Sequence, residues 1–306
     1  MRETIELRVN EEFAHLLFKD SEGKRLGGIV RKITLSTRDP RYQQVGELQR
    51  SLRLERNKSF FFGWDITRRY TAAELKRAEF FSVYWTAAFE PVGADCGTVY
   101  DETGACQHTY VPERTTFIAG AGNLRSGLNT CGVGAKRLTP LILDGRRIPK
   151  GKDFARTIAD EEVVSERAKE VLEHAGIMGV TFEPVRYRGL RPKLNQWYQM
   201  VAQADPVEIV APTVTCEGPF EVESDAYRCP HGHSIGLNVL SEISIDRPSD
   251  SSSDVFRTRQ YVGVRRGVLR PRTILVVSQK VRTAVVESGL KGWRFEVAHL
   301  RDRDQP

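Results

Sequence analysis

Cysteine is scarce in this chain, and long apolar runs are missing from it. Only five of the 306 residues are cysteines, which is too few for a disulfide scaffold. No stretch approaches the ~18 consecutive apolar residues of a membrane-spanning helix. The first residues alternate charged and apolar side chains and lack the apolar core of a secretory signal. We therefore expect a cytoplasmic protein whose cysteines stay reduced and serve as metal ligands or buried thiols.

The overall composition is that of a folded globular protein, with 40% hydrophobic and 28% charged residues. Short alternating segments, such as residues 4–9, predict strands, and segments that begin with a capping residue predict short helices. This mixture predicts an α+β fold with mixed or antiparallel sheets. We expect an N-terminal α+β region over residues 1–66 and a zinc-containing core over residues 67–306.

The clearest internal pattern is a repeat, in which residues 163–185 align without a gap with residues 276–298 at an offset of 113. In each copy an apolar pair precedes a serine, Ser165 or Ser278, and serine is a favoured helix N-cap. About ten helix-forming residues follow. They end at Gly176 or Gly289, where a left-handed turn would exclude a Cβ. Each copy is therefore predicted to be a strand, a capped helix and a second strand.

A glycine-rich segment without periodicity, residues 93–136, predicts a metal site. So long an irregular segment is uncommon inside a compact domain unless something holds it together. Zinc is bound by four tetrahedral thiolate or imidazole ligands, and a glycine after a cysteine lets the backbone fold around the ion. The predicted ligands are Cys96, Cys106, Cys131 and Cys229, with His233 or His231 as the alternate fourth ligand.

Two other interpretations of these cysteines stay open. They could be ordinary buried thiols, because a free cysteine behaves as a small hydrophobe, or a disulfide or redox pair. A catalytic zinc would keep one open position beside a general base, and the sequence contains no HExxH helix. A metallohydrolase is kept as an alternative because His231 and His233 could leave such a position open.

A second candidate site is a basic strip near the C-terminus. From Val255 to Arg282 eight residues are basic and none is acidic. Such a face suits an acidic protein or phosphates, and its tyrosine could stack on a base. The alternative is a solvated strand face that is neutralised by acidic residues elsewhere. The predicted partner-binding residues are Arg257, Arg259, Tyr261, Arg265 and Arg266.

The order of these features resembles a known family. A Cys-Gly segment, the first repeat copy, a Cys-Pro segment and the second copy follow one another over residues 70–300. This layout is similar to that of the double-CXXCG motif immunity proteins of bacterial toxin-immunity systems. The resemblance implies a metal-binding, non-catalytic protein that protects a cell from a partner toxin. Cys131-Gly132 and Cys229-Pro230 match the two motifs, whereas Leu128 stands where the first cysteine of one pair would be and Gly232 where the second cysteine of the other would be.

Overall fold

The chain divides into two compact units. The computed structural model describes residues 1–91, 95–110, 129–188, 196–220 and 227–301. Two parts of the irregular segment, residues 93–94 and 111–128, lie outside these ranges. The first unit begins with Met1–Arg77, and the second contains the described residues from Ala78 onward. The N-terminal unit therefore continues eleven residues beyond the boundary at 66 that the sequence suggested.

Helices are few and short within the described ranges. They are α1 (Glu11–Ala14), α2 (Arg41–Arg56), α3 (Ala72–Arg77), α4 (Glu166–His174) and α5 (Gln279–Glu287). None of these helices has both the length and the apolar composition needed to cross a bilayer. Local capping explains where several of them start. The Asn10 side chain accepts a hydrogen bond from the backbone N–H of Glu12, and Thr71 and Glu74 form a reciprocal capping box.

The first unit is a four-stranded antiparallel sheet with helices on its apolar face. The strand order is Lys24–Leu26, Val30–Ser36, Arg2–Asn10 and Phe61–Arg69. Ile5, Leu7 and Val9 alternate along the long first strand and are fully buried. Helix α2 is attached by Gln49, whose side-chain oxygen accepts hydrogen bonds from two backbone N–H groups at the start of the last strand.

The second unit contains two larger sheets. The five-stranded sheet has the order Val180–Pro184, Trp197–Ala202, Glu162–Ser165, Phe154–Thr157, Ala88–Phe89. The six-stranded sheet has the order Ile209–Val210, Ile243–Asp246, Trp293–Arg301, Phe80–Trp85, Arg272–Ser278, Val255–Val262. Neighbouring strands are antiparallel apart from one parallel pair in each sheet. Phe154 of one sheet stacks on Trp293 of the other, with ring centroids 3.7 Å apart.

The other described strands are two residues long and form separate pairs. These pairs are Tyr100–Asp101 with Lys136–Arg137, Thr109–Tyr110 with Asn129–Thr130, Ile142–Leu143 with Arg186–Tyr187, and Thr215–Cys216 with Asn238–Val239. The prediction of an α+β protein with mixed and antiparallel sheets is confirmed.

The two copies of the internal repeat fold into the same elements. Ser165 accepts a hydrogen bond from the N–H of the third residue of α4, and Ser278 does the same for α5. Gly176 and Gly289 have φ angles of +62° and +61°, so both helices end in the left-handed turn that the sequence predicts. In each copy the two strands flank one intervening strand, Trp197–Ala202 in the first copy and Phe80–Trp85 in the second. Each copy is therefore a split β-α-β unit.

The two copies hold each other through matched hydrogen bonds. The Asp153 carboxylate accepts from the Ser165 hydroxyl of its own copy and from the Lys291 N–H of the other. Asp254 repeats this pattern with the Ser278 hydroxyl and with the N–H of Met178, the residue equivalent to Lys291. Each aspartate therefore holds the glycine turn of the opposite copy.

Hydrogen bonds also join each of the two helices to the C-terminal end of the other. Arg167 of α4 donates to the Ser288 carbonyl at the end of α5, over 2.6 Å. Lys280, at the equivalent position of α5, donates to the Gly176 carbonyl at the end of α4, over 2.5 Å. A cation near the C-terminus of a helix pairs with its unsatisfied carbonyls, so each helix stabilises the end of the other.

Candidate metal centre

Three cysteines and one histidine converge in the second unit. The four ligand atoms, which belong to Cys106, Cys131, Cys229 and His233, all lie within 4.8 Å of one another. Cys131 and Cys229 are buried, whereas Cys106 and His233 are half-buried. Residues more than a hundred positions apart in the chain are therefore close enough to hold one metal ion.

Three of the separations between ligand atoms are close to the edges of a coordination tetrahedron. The Sγ atoms of Cys106 and Cys229 are 3.9 Å apart. The Nδ1 atom of His233 lies 3.8 Å from the Sγ of Cys131 and 3.8 Å from that of Cys229. A zinc ion with ordinary Zn–S and Zn–N bonds would require edges of about 3.5–3.8 Å. The donor set and its spacing therefore fit a tetrahedral Cys₃His site.

Two of the cysteines are positioned by backbone pairing between their own segments. The N–H of Cys131 donates to the His108 carbonyl, and the N–H of Gly132 donates to the Cys106 carbonyl. Gly132 has φ of +66°, and a Cβ there would lie 2.4 Å from the Cβ of Arg265. The glycine after Cys131 is therefore required both by the turn and by the strand that packs against it.

The other two ligands come from a single turn. Within Cys229-Pro-His-Gly-His233, the N–H of Gly232 donates to the Cys229 carbonyl, and the N–H of Cys229 donates to the Ser234 carbonyl. Gly232 has φ of +76°, so the chain reverses and places ligands four residues apart on the same side. The backbone of Tyr261 fixes the end of the turn, because its N–H donates to the His233 carbonyl.

The surroundings are apolar and affect the thiols differently. Tyr110, Tyr227 and Val264 are buried with Cys131 and Cys229 in one cluster. Burial raises the pKa of Cys131 to about 12. Burial also acts to raise the pKa of Cys229, but hydrogen bonds from backbone N–H groups, first that of His231, lower it overall. A bound cation would favour the thiolate form at both positions.

The structure corrects one predicted ligand. Cys96 lies outside the cluster, because the adjacent Gly97 pairs with Ile142 through two backbone hydrogen bonds. His233 takes the fourth position in its place. His231, the other histidine considered, is exposed, and its ring lies 5.9 Å from that of His233.

The basic strip does not form one open face. A register shift between Arg257 and Tyr261 breaks the alternation of the strand. Arg257 is bonded to the nearly buried carboxylate of Glu162, and Arg259 pairs with Glu208 over 3.1 Å. Arg257 and Arg259 are therefore paired with carboxylates from two separate segments of the chain.

The later part of the strip supports the metal cluster. Arg265 exchanges two backbone hydrogen bonds with Thr130, next to Cys131, and its guanidinium binds Glu102 over 3.0 Å. Glu102 also accepts from Arg270 over 2.7 Å. Hydrogen bonding to Arg265 is the largest cause of a lowered pKa at Glu102. The backbone of Arg266 returns on itself through paired bonds with Leu269. The sequence does not show this supporting role, because Glu102 lies 163 residues from Arg265.

Comparison with known proteins does not assign the chain to a family. Neither the protein-family models nor the curated proteins give a match.

Proposed function

We propose that this chain is a zinc-stabilised, non-catalytic binding protein that neutralises a partner protein, as a bacterial immunity protein does. The observation that carries the proposal is the convergence of Cys106, Cys131, Cys229 and His233 at tetrahedral separations. Four protein ligands fill the coordination sphere of zinc, and this is the pattern of structural zinc sites rather than catalytic ones.

Zinc is the metal that this donor set favours. Three thiolates and one imidazole are soft and borderline ligands, and their tetrahedral spacing suits zinc, whereas calcium and magnesium require oxygen ligands. The ion would connect the Cys106 and Cys131 segments to the turn at Cys229, beside the small buried cluster that contains Tyr110 and Val264. Metal binding would therefore add directly to the folding free energy of the second unit.

The immunity role is supported by the layout of the chain. Two cysteine segments alternate with two strand-helix-strand copies, in the order that resembles the immunity family. A closed metal site leaves the protein surface as the functional part, which suits a stoichiometric inhibitor. Nucleic-acid binding by the strip is less well supported, because Arg257, Arg259 and Arg265 already pair with carboxylates of the same chain.

Neutralisation can be tested with the product of an adjacent gene. The two proteins are co-expressed in a bacterial host whose growth the product inhibits when it is produced alone. We expect the full chain to co-purify with that product in a fixed ratio and to restore growth. Co-expression of the Cys131→Ser variant is expected to restore growth less well, because the second unit would lose its metal. A full-length, folded chain that neither binds the product nor protects the host would contradict the immunity role.

A further inference from the structure

The net charge of the protein is concentrated in the first unit. Met1–Arg77 contains 17 basic and 11 acidic residues, an excess of +6 that equals the net charge of the whole chain. The remaining 229 residues are therefore balanced. A search for the surface that binds a charged partner should begin with the first unit and not with the arginine strip.

Half of this excess lies on the polar face of the four-stranded sheet, which carries five basic and two acidic residues. Because Ile5 and Leu7 point into the core, alternation places Arg2, Glu6 and Arg8 on the opposite side. We call this side the N-terminal sheet face; it comprises Arg2, Thr4, Glu6, Arg8, Asn10, Lys24, Leu26, Val30, Lys32, Thr34, Ser36, Gly63, Asp65, Thr67 and Arg69. Helices of this unit pack on the apolar side, and Arg2, Arg8, Lys24 and Arg69 of the opposite side are exposed.

Cations lie directly opposite one another on this face. Arg2 is the cross-strand partner of Arg69, and Lys32 is the partner of both Arg8 and Lys24. Like charges at directly opposed positions destabilise a sheet. Three such pairs on one face are unfavourable for the isolated protein and would be relieved by an anionic partner.

Most of these cations have no acidic partner. Arg2, Arg8, Lys24 and Arg69 are exposed, and none of them forms an ion pair with another described residue. Lys32 is the exception, because its Nζ atom lies 2.6 Å from the Glu6 carboxylate. In the arginine strip, by contrast, Arg257, Arg259, Arg265 and Arg270 each pair with a carboxylate of the same chain.

We propose that the N-terminal sheet face is the surface that binds the partner, and that the partner presents acidic side chains to it. Two basic ends, about 20 Å apart along the first strand, flank a centre where Glu6 and Asp65 are directly opposed. A continuous phosphate backbone would be repelled by that acidic centre, whereas a protein can place its charges to match such a pattern. This inference rests on the proposed function, to which it adds the binding surface and the chemistry of the partner.

The test uses fluorescently labelled poly-L-glutamate as the probe and single-stranded oligodeoxythymidine as the comparison. Binding to the full chain is measured by anisotropy over a range of salt concentrations. The test variant is Arg8→Glu with Arg69→Glu. The control variant, Arg38→Glu with Arg56→Glu, makes the same change in net charge at exposed residues outside the sheet face.

We expect the full chain to prefer poly-L-glutamate, and the test variant to bind it about tenfold or more weakly, whereas the control binds nearly as well as the parent. The melting temperature of the test variant should not fall, since each reversal turns a like-charge pair into an opposite-charge pair. Absence of salt-sensitive binding, an equal loss in the control, or a preference for oligodeoxythymidine would overturn the assignment. Because no toxin is used, failure of the immunity role leaves the result unchanged.

Discussion

The replacement of Cys131 by serine is the sharpest test of the metal centre. Cys131 is fully buried, and its Sγ lies 3.8 Å from the His233 ring nitrogen. Apparent zinc-binding free energies of four-ligand structural sites are about 10–16 kcal/mol at neutral pH. If the four ligands contribute equally, one ligand is worth about 3 kcal/mol, and its loss weakens zinc binding about 100-fold or more.

The assay is metal content per chain after competition with a chelator, measured by mass spectrometry on the intact protein. The parent protein should retain one zinc ion, and the Cys131→Ser variant should lose it at a chelator concentration that the parent tolerates. Cys96→Ser is the matched control, because Cys96 is a partly buried cysteine outside the cluster. It should retain zinc as the parent does.

Two results would refute the reasoning. A parent protein that binds no zinc after expression in zinc-supplemented medium would show that the four ligand atoms converge without holding an ion. Equal loss of zinc from Cys96→Ser would show that the ligand set is wrong. Cys106→Ser is a useful second variant, since Cys106 is only half-buried and its replacement should disturb packing less.

Three further predictions follow from the same structure. Chelation should speed amide hydrogen exchange in the second unit while leaving the first unit protected, which exchange mass spectrometry can resolve. Gly292→Ala would place a methyl group 2.0 Å from a backbone oxygen and should cost about 3 kcal/mol or more in urea unfolding, whereas Gly289→Ala, at φ +61° with nothing nearby, should cost about 1 kcal/mol. The hydrogen bond to Glu242 raises the pKa of His299. The pair of His299 and Glu242 therefore stabilises the fold fully below the unfolded pKa of histidine, about 6.5, and this contribution is lost as the pH rises through the raised pKa. The gap in unfolding free energy between the parent and His299→Gln, under about 1 kcal/mol for so exposed a pair, should therefore close at alkaline pH.

Locally determined features were predictable from the sequence. Ser165 and Ser278 cap their helices, and Gly176 and Gly289 end them, because a cap or a left-handed turn depends on a few neighbouring residues. The hydrogen bonds that join the two copies were not predictable. They link residues that only the sheet topology brings together, such as Asp153 and Lys291.

The metal site was predicted in part. Cys106, Cys131 and Cys229 were named as ligands, and all three lie in the cluster together with His233, the alternate fourth ligand. Cys96 carries the same Cys-Gly signature as Cys131, and no local pattern shows that its glycine pairs with a different strand. The sequence did not distinguish His233 from His231, since only the turn at Gly232 decides which of the two rings reaches the cluster.

Helix α2 and the arginine strip show where sequence patterns fail. The buried side of α2 includes Gly46 and Gln49 beside Val45 and Leu52, so its apolar period is weak although the helix is sixteen residues long. The strip looked continuous because Arg257 and Arg265 are close in sequence. Their carboxylate partners come from distant segments, and charge counting along the chain cannot detect them.

The exchange of hydrogen bonds between the two copies has a consequence for how the second unit loses its structure. Since each aspartate and each helix-terminal cation satisfies groups in the opposite copy, damage to one half removes support from both. The halves should therefore melt together as one cooperative transition, and neither half expressed by itself should be able to keep its glycine turn in place.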